Sequence, residues 1–157
     1  MTQHFDSKSS IILGMHDALV SLTGLIAGLF FAFTDTNIII ISCIISSITA
    51  SLSMAAANYL AVKTTNKSHA LISAIYTGIA YMTTCVLLIL PFFIFSNRNM
   101  ALFSVLVIAI CIIFGFNKFF YHGQNFTQHF TEMLTICTMI SIVAFIIGEI
   151  ANKMFGI

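Results

Sequence analysis

Five long apolar runs, separated by short polar breaks, give the chain its pattern. They cover residues 11–33, 38–62, 70–95, 101–119 and 130–155. About 20 apolar residues in helical conformation cross the roughly 30 Å hydrocarbon layer of a bilayer, so each run predicts one spanning helix. The breaks are Thr34-Asp-Thr-Asn37, Lys63-Thr-Thr-Asn-Lys-Ser-His69, Ser96-Asn-Arg-Asn99 and residues 117–128. Connections this short make consecutive helices antiparallel neighbours. The expected fold is an all-α integral membrane protein of five transmembrane helices, forming one domain over residues 1–157, with no internal repeat.

Composition sharpens this reading. The 157 residues are 59% hydrophobic and only 7% charged, with a mean hydropathy of +1.05. That leaves too little polar surface to face water all round, so the solvent must be lipid. The formal net charge is +1 and the basic residues form no patch, which sets nucleic acid aside as a partner. Cys43, Cys85, Cys111 and Cys137 fall in separate runs with no Cys-x-x-Cys pairing, and read as buried free thiols acting as small hydrophobes. No Ser/His pairing, His-Glu-x-x-His helix or phosphate loop suggests an enzyme.

Lys8, Lys63, Lys67 and Lys118 fall at one end of the predicted bundle, and Arg98 and Lys153 at the other. The positive-inside rule then puts the N-terminus in the cytoplasm and, with an odd helix count, the C-terminus outside. The first helix is expected to act as its own insertion signal, with no removable leader. A bacterial inner membrane is the expected host.

Candidate chemistry begins in the first run. At about 100° per residue, Gly14, Asp17, Ser21, Gly24 and Gly28 share one narrow helix face. An aspartate at mid-membrane depth costs roughly 2.5–3.5 kcal/mol on insertion scales, so Asp17 should face protein or water. In the second run Cys43, Ser47, Ser51, Met54 and Asn58 line a face by the same arithmetic. If the two helices are antiparallel neighbours, Asp17 and Met54 lie at similar depth. Oxygen donors with a thioether suit a divalent transition metal that must bind and leave.

The stretch Gly14-x-x-Asp17-x-Leu-Val-Ser21, then Gly24-Leu-Ile-Ala-Gly28, then Leu52-Ser-Met54-Ala-Ala-x-x-Tyr59, resembles the vacuolar iron transporter family. The resemblance is carried by the first two helices. It implies transport of Fe²⁺ or Mn²⁺ out of the cytoplasm by proton antiport, the metal being cargo and no cofactor permanently bound. It also implies a homodimer with the ion path at the subunit interface. The ligand set would be Asp17 as charged donor, Met54 as soft donor, and Asn58, Ser21 and Ser51 as secondary oxygens. Asp17, facing its own copy across a dimer axis, is the candidate for proton coupling.

This chain departs from the family at several points. Relatives carry Gly-Glu where it has Ala57-Asn58, and an asparagine oxygen brings no charge and exchanges no proton. His16 replaces the asparagine before the aspartate, and Ala18 the glycine after it. The linker at residues 63–69 is too short for the helical metal-binding domain of plant and parasite members. His4, His16, His69, His122 and His129, with Asp6 and Glu132, cluster near the predicted cytoplasmic surface, where resting at the water interface is the simpler reading. His16, Glu132 and Glu149 are candidates for the ends of a pathway, although Glu149 is equally placed to pair with Lys153 at i+4. Gly14, Gly24 and Gly28 imply close helix packing, within or between subunits. The competing reading is a helix bundle that binds a metal or a partner protein without transport.

Overall fold

The computed structural model describes residues 7–65, 67–120 and 126–155. His4, Asp6 and His122 lie outside them. The described residues form five α-helices: α1 (Ser7–Ala32), α2 (Thr36–Thr65), α3 (Ala70–Ile94), α4 (Arg98–Phe120) and α5 (Phe126–Phe155). All five are long and apolar enough to cross a membrane. The chain is an integral membrane protein. Most helices run past the apolar stretches that announce them, by about one turn at the starts of α1, α4 and α5. Backbone groups near a bilayer surface are best satisfied by continuing the helix, so its ends extend beyond the hydrocarbon-matched run.

The radial distribution of side chains is that of a lipid-solvated bundle. Ser10, Ser73, Thr77 and Asn58 are buried, whereas Leu52, Phe93, Phe103 and Met139 are exposed. In lipid there is no penalty for apolar surface, and helix association rests on close packing and interhelical hydrogen bonds.

α1 is the hub. It packs most extensively against α5 and α3, and also touches α2 and α4, while α2 packs chiefly on α3. Glycines set the closeness. A Cβ on Gly14 would overlap the backbone carbonyl of Thr77 in α3, and one on Gly148 would overlap the carbonyl of Gly28. One on Gly28 would lie 3.2 Å from the Ala144 oxygen, and one on Gly24 2.9 Å from Ile140 Cγ2. The small residues of α1 therefore serve contacts within the chain: Gly14 with α3, Gly24 and Gly28 with α5. The sequence left open whether they pack within or between subunits.

Two polar ties hold α1 at its ends. At its N-terminal end Ser10 Oγ lies 2.7 Å from Ser73 Oγ, and Thr77 Oγ1 donates to Ser10 O at 3.1 Å. At its C-terminal end Arg98 donates to the carbonyls of Phe30 and, at 3.2 Å, Thr34, with its guanidinium 3.9 Å from the centre of the Phe30 ring. Asn152 donates to Phe31 O at 3.2 Å. The last carbonyls of a helix lack intrahelical partners, and here α4 and α5 supply them. Pro91 sits inside α3, which continues through it to Ile94.

Candidate functional site

Asp17 lies near mid-span. From Ser7 it is about 15 Å along α1, and Met54 is about 16 Å from the Thr65 end of α2, at 1.5 Å per residue. Counted from these helix ends, the two residues stand at similar heights along α1 and α2. Their surroundings differ. Asp17 is exposed and lines a groove of about 570 Å³ on the α1/α5 seam, with Ser9, Leu13, His16, Val20 and Met133. The seam continues as a second groove of about 490 Å³ past Ser21, Gly24 and Gly28 to Ala151. Together they form a furrow along the outer edge of α1 and α5.

Met54 is half-buried against the core and is not among the furrow residues. Ser51 is buried, donates to Ile48 O at 3.0 Å, and lines an apolar groove between α2 and α3. Asn58 turns to α3: its amide nitrogen lies 2.9 Å from Ser73 Oγ, 2.5 Å from Thr77 Oγ1 and 3.2 Å from Ser73 O. Within one chain the expected ligands thus do not meet around a common cavity; of the five, only Asp17 and Ser21 share the furrow. The helical wheel for α2 puts Ser51, Met54 and Asn58 on one side, and that side divides between α3, which Ser51 and Asn58 face, and the core, against which Met54 packs.

Ser21 also faces inward, its Oγ 2.7 Å from the hydroxyl of Tyr81 on α3. Tyr81 is 2% exposed. Tyr81 is the neighbour of Ser21 that a search for metal donors passes over. Thr77, Tyr81 and Thr84 fall on one face of α3, and at Thr77 and Tyr81 that face makes interhelical hydrogen bonds.

The candidate pathway ends are placed as follows. His16 is half-buried, its ring edge-on to Phe116 with centroids 5.1 Å apart. His129 Nδ1 is 3.5 Å from a Glu132 oxygen, and Gln128 donates to Glu132 at 2.9 Å. Glu149 takes the pairing reading, accepting from Lys153 at 3.2 Å. Among the described residues, no group of three or more His, Cys, Asp or Glu is close enough to hold a metal ion.

The α1–α2 pair carries the exposed intramembrane carboxylate, the thioether at matching depth, and the glycines that let α1 sit against its neighbours. Residues 8–70 match the VIT family. The match spans α1, α2 and the first residue of α3, the same two helices that bear the Asp17 and Met54 motifs. No curated protein matches the chain.

Proposed function

We propose that the protein carries Fe²⁺ or Mn²⁺ out of the cytoplasm in exchange for protons, working as a homodimer whose two α1 furrows face each other. The supporting observation is Asp17: an exposed carboxylate at mid-span, in a furrow whose other described lining is largely apolar. Facing lipid, it would carry the cost of a charge in hydrocarbon, roughly 2.5–3.5 kcal/mol. A second copy laid along the furrow removes that exposure and brings two Asp17 side chains towards one another. Two facing carboxylates hold a divalent cation when ionised and repel each other without it, so cation and proton compete for the same pair.

Met133 lines the furrow beside Asp17 and is a soft donor already in place; Met54, at similar height on α2, packs against the core outside the furrow. Ser21 supplies a hydroxyl one turn further along. His16, with His129 and Glu132 beyond it, marks the cytoplasmic mouth, in the orientation with the N-terminus inside. The membrane is that of a bacterial cell.

A bundle that binds metal without moving it is the second reading. It is favoured by Asn58, whose amide is engaged by α3 where the family's carboxylate would stand. Fe²⁺ and Mn²⁺ flux into proteoliposomes, with and without a proton gradient, separates the two. Gradient-driven flux in the wild type that collapses in Asp17→Ala supports transport; wild-type flux equal to that of empty liposomes for both ions leaves only binding.

A further inference from the structure

The hairpin of α2 and α3 is electrically one-sided. Residues 36–94 contain two lysines, Lys63 and Lys67, and no arginine, aspartate or glutamate. Both lysines fall where the two helices join. The apolar groove between these helices, about 520 Å³, has a lining distinct from that of the α1/α5 furrow. Its floor is made of small residues: Ala74 is buried, and a Cβ on Gly78 would lie 3.2 Å from Ala55 Cβ. Its rims, Leu52 on α2 and Leu71, Ile75 and Ile79 on α3, are exposed.

The groove has the length of one leaflet. It runs about 12 Å along α2, from Ser51 to Tyr59, and about 16 Å along α3, from Leu71 to Met82, at 1.5 Å per residue. Ser51 and Met82 stand at the middles of Thr36–Thr65 and Ala70–Ile94. Half of a roughly 30 Å hydrocarbon layer is about 15 Å. A partner helix would cross both leaflets, whereas a groove that starts at the lysine end and stops at mid-span matches a lipid tail. The starting end also carries the charge. Lys63 Nζ lies 5.2 Å from the centre of the Tyr59 ring, within cation–π range, which sets the ammonium over the residue that ends the groove. The hairpin itself supplies no carboxylate to pair with that ammonium.

We propose that the α2/α3 groove binds one anionic phospholipid from the leaflet on the Lys63 side. An acyl chain lies along Ala55, Ala74 and Gly78, and the headgroup phosphate meets Lys63, with Lys67 adding attraction from the linker. Lipid tails are as apolar as the groove, so the chain is held by close packing over the small floor and gains nothing from hydrophobic burial. The choice among lipids therefore falls to the headgroup, where a lysine beside a membrane helix favours negative charge. The site is separate from the furrow and does not depend on the protein being a transporter.

The test is native mass spectrometry of the full chain, delipidated in detergent and titrated with phosphatidylglycerol or phosphatidylcholine of the same acyl chains. One phosphatidylglycerol per chain should bind about fivefold more tightly than phosphatidylcholine, the preference that one lysine near a headgroup supplies. Lys63→Gln should remove the preference, and Lys63→Arg should keep it. Ala56→Leu, at an exposed position in the groove lining, should weaken both lipids alike. Lys118→Gln, in the last turn of α4, should change neither affinity. Equal affinities in the wild type, a preference that survives Lys63→Gln or is lost equally in Lys118→Gln, or binding indifferent to Ala56→Leu would overturn the proposal. So would a dimer in the same spectra that holds no lipid and dissociates in Ala56→Leu, since a second copy would then fill the groove. The preference is read first on the wild type, so it decides the matter even where a variant fails to fold.

Discussion

The hydroxyls of Ser21 and Tyr81 lie 2.7 Å apart, joining α1 to α3 one turn beyond Asp17. Ser21 is thereby both a furrow residue and an anchor to the bundle interior. Tyr81→Phe keeps the ring and deletes the bond. Interhelical hydrogen bonds in membranes average about 0.6 kcal/mol and reach about 1.7, so the variant should lose about 1 kcal/mol in unfolding from mixed micelles. Ser21→Ala should lose a similar amount, and the double variant should lose less than the sum, because both remove the same contact.

Asn58 gives a test of structural against ligand roles. Its amide binds two side chains and a carbonyl of α3. Asn58→Ala should lower stability by about 1–3 kcal/mol by leaving buried hydroxyls with fewer partners. If the residue is a helix tie, metal flux per folded molecule in proteoliposomes stays within about twofold of wild type. A large rise in the metal concentration for half-maximal flux would instead make it a ligand.

The glycines separate by position in the same way. Gly148→Ala places a methyl group into the Gly28 carbonyl, forcing α5 away from α1; such overpacking costs typically 1–3 kcal/mol. Gly115 has open space where its Cβ would be, and alanine is the better helix former by about 1 kcal/mol. Thermal unfolding should therefore move in opposite directions for Gly148→Ala and Gly115→Ala.

Five helices and their lipid solvent were legible because both depend on run length and composition, which sequence states directly. The candidate site was legible in part. Asp17 stood out because a carboxylate in an apolar run is costly whatever surrounds it, and Gly14, Gly24 and Gly28 stood out by spacing. Which neighbour each faces was not legible: Gly14 meets α3 while Gly28 meets α5, though both lie in one sector of the helical wheel. A wheel gives direction about one axis and omits how neighbouring axes cross. For the same reason Asn58 looked like a companion of Met54 and turned out to be bonded to α3.

Arg98 falls, with Lys153, at the end of the bundle that carries fewer basic residues. Its geometry gives it a task, closing the last carbonyls of α1 over the face of Phe30. Arg98→Gln should lose about 1–2 kcal/mol, in the range of hydrogen bonds to charged groups. Amide hydrogen exchange should accelerate in the last turn of α1 and leave the Ser10 end unchanged.

Arg98, Asn152 and the Gly28–Gly148 crossing all hold α1 near the same end. That concentration makes α1 a lever with its fulcrum at Ala32 and its long arm, tied at Ser10 and packed at Gly14, running towards Ser7. Asp17 sits about 22 Å out along the arm at 1.5 Å per residue, so a tilt of about 10° about that fulcrum displaces its carboxylate by about 4 Å. The bonds opposing such a swing are the Ser10 contacts with Ser73 and Thr77 and the Ser21–Tyr81 pair.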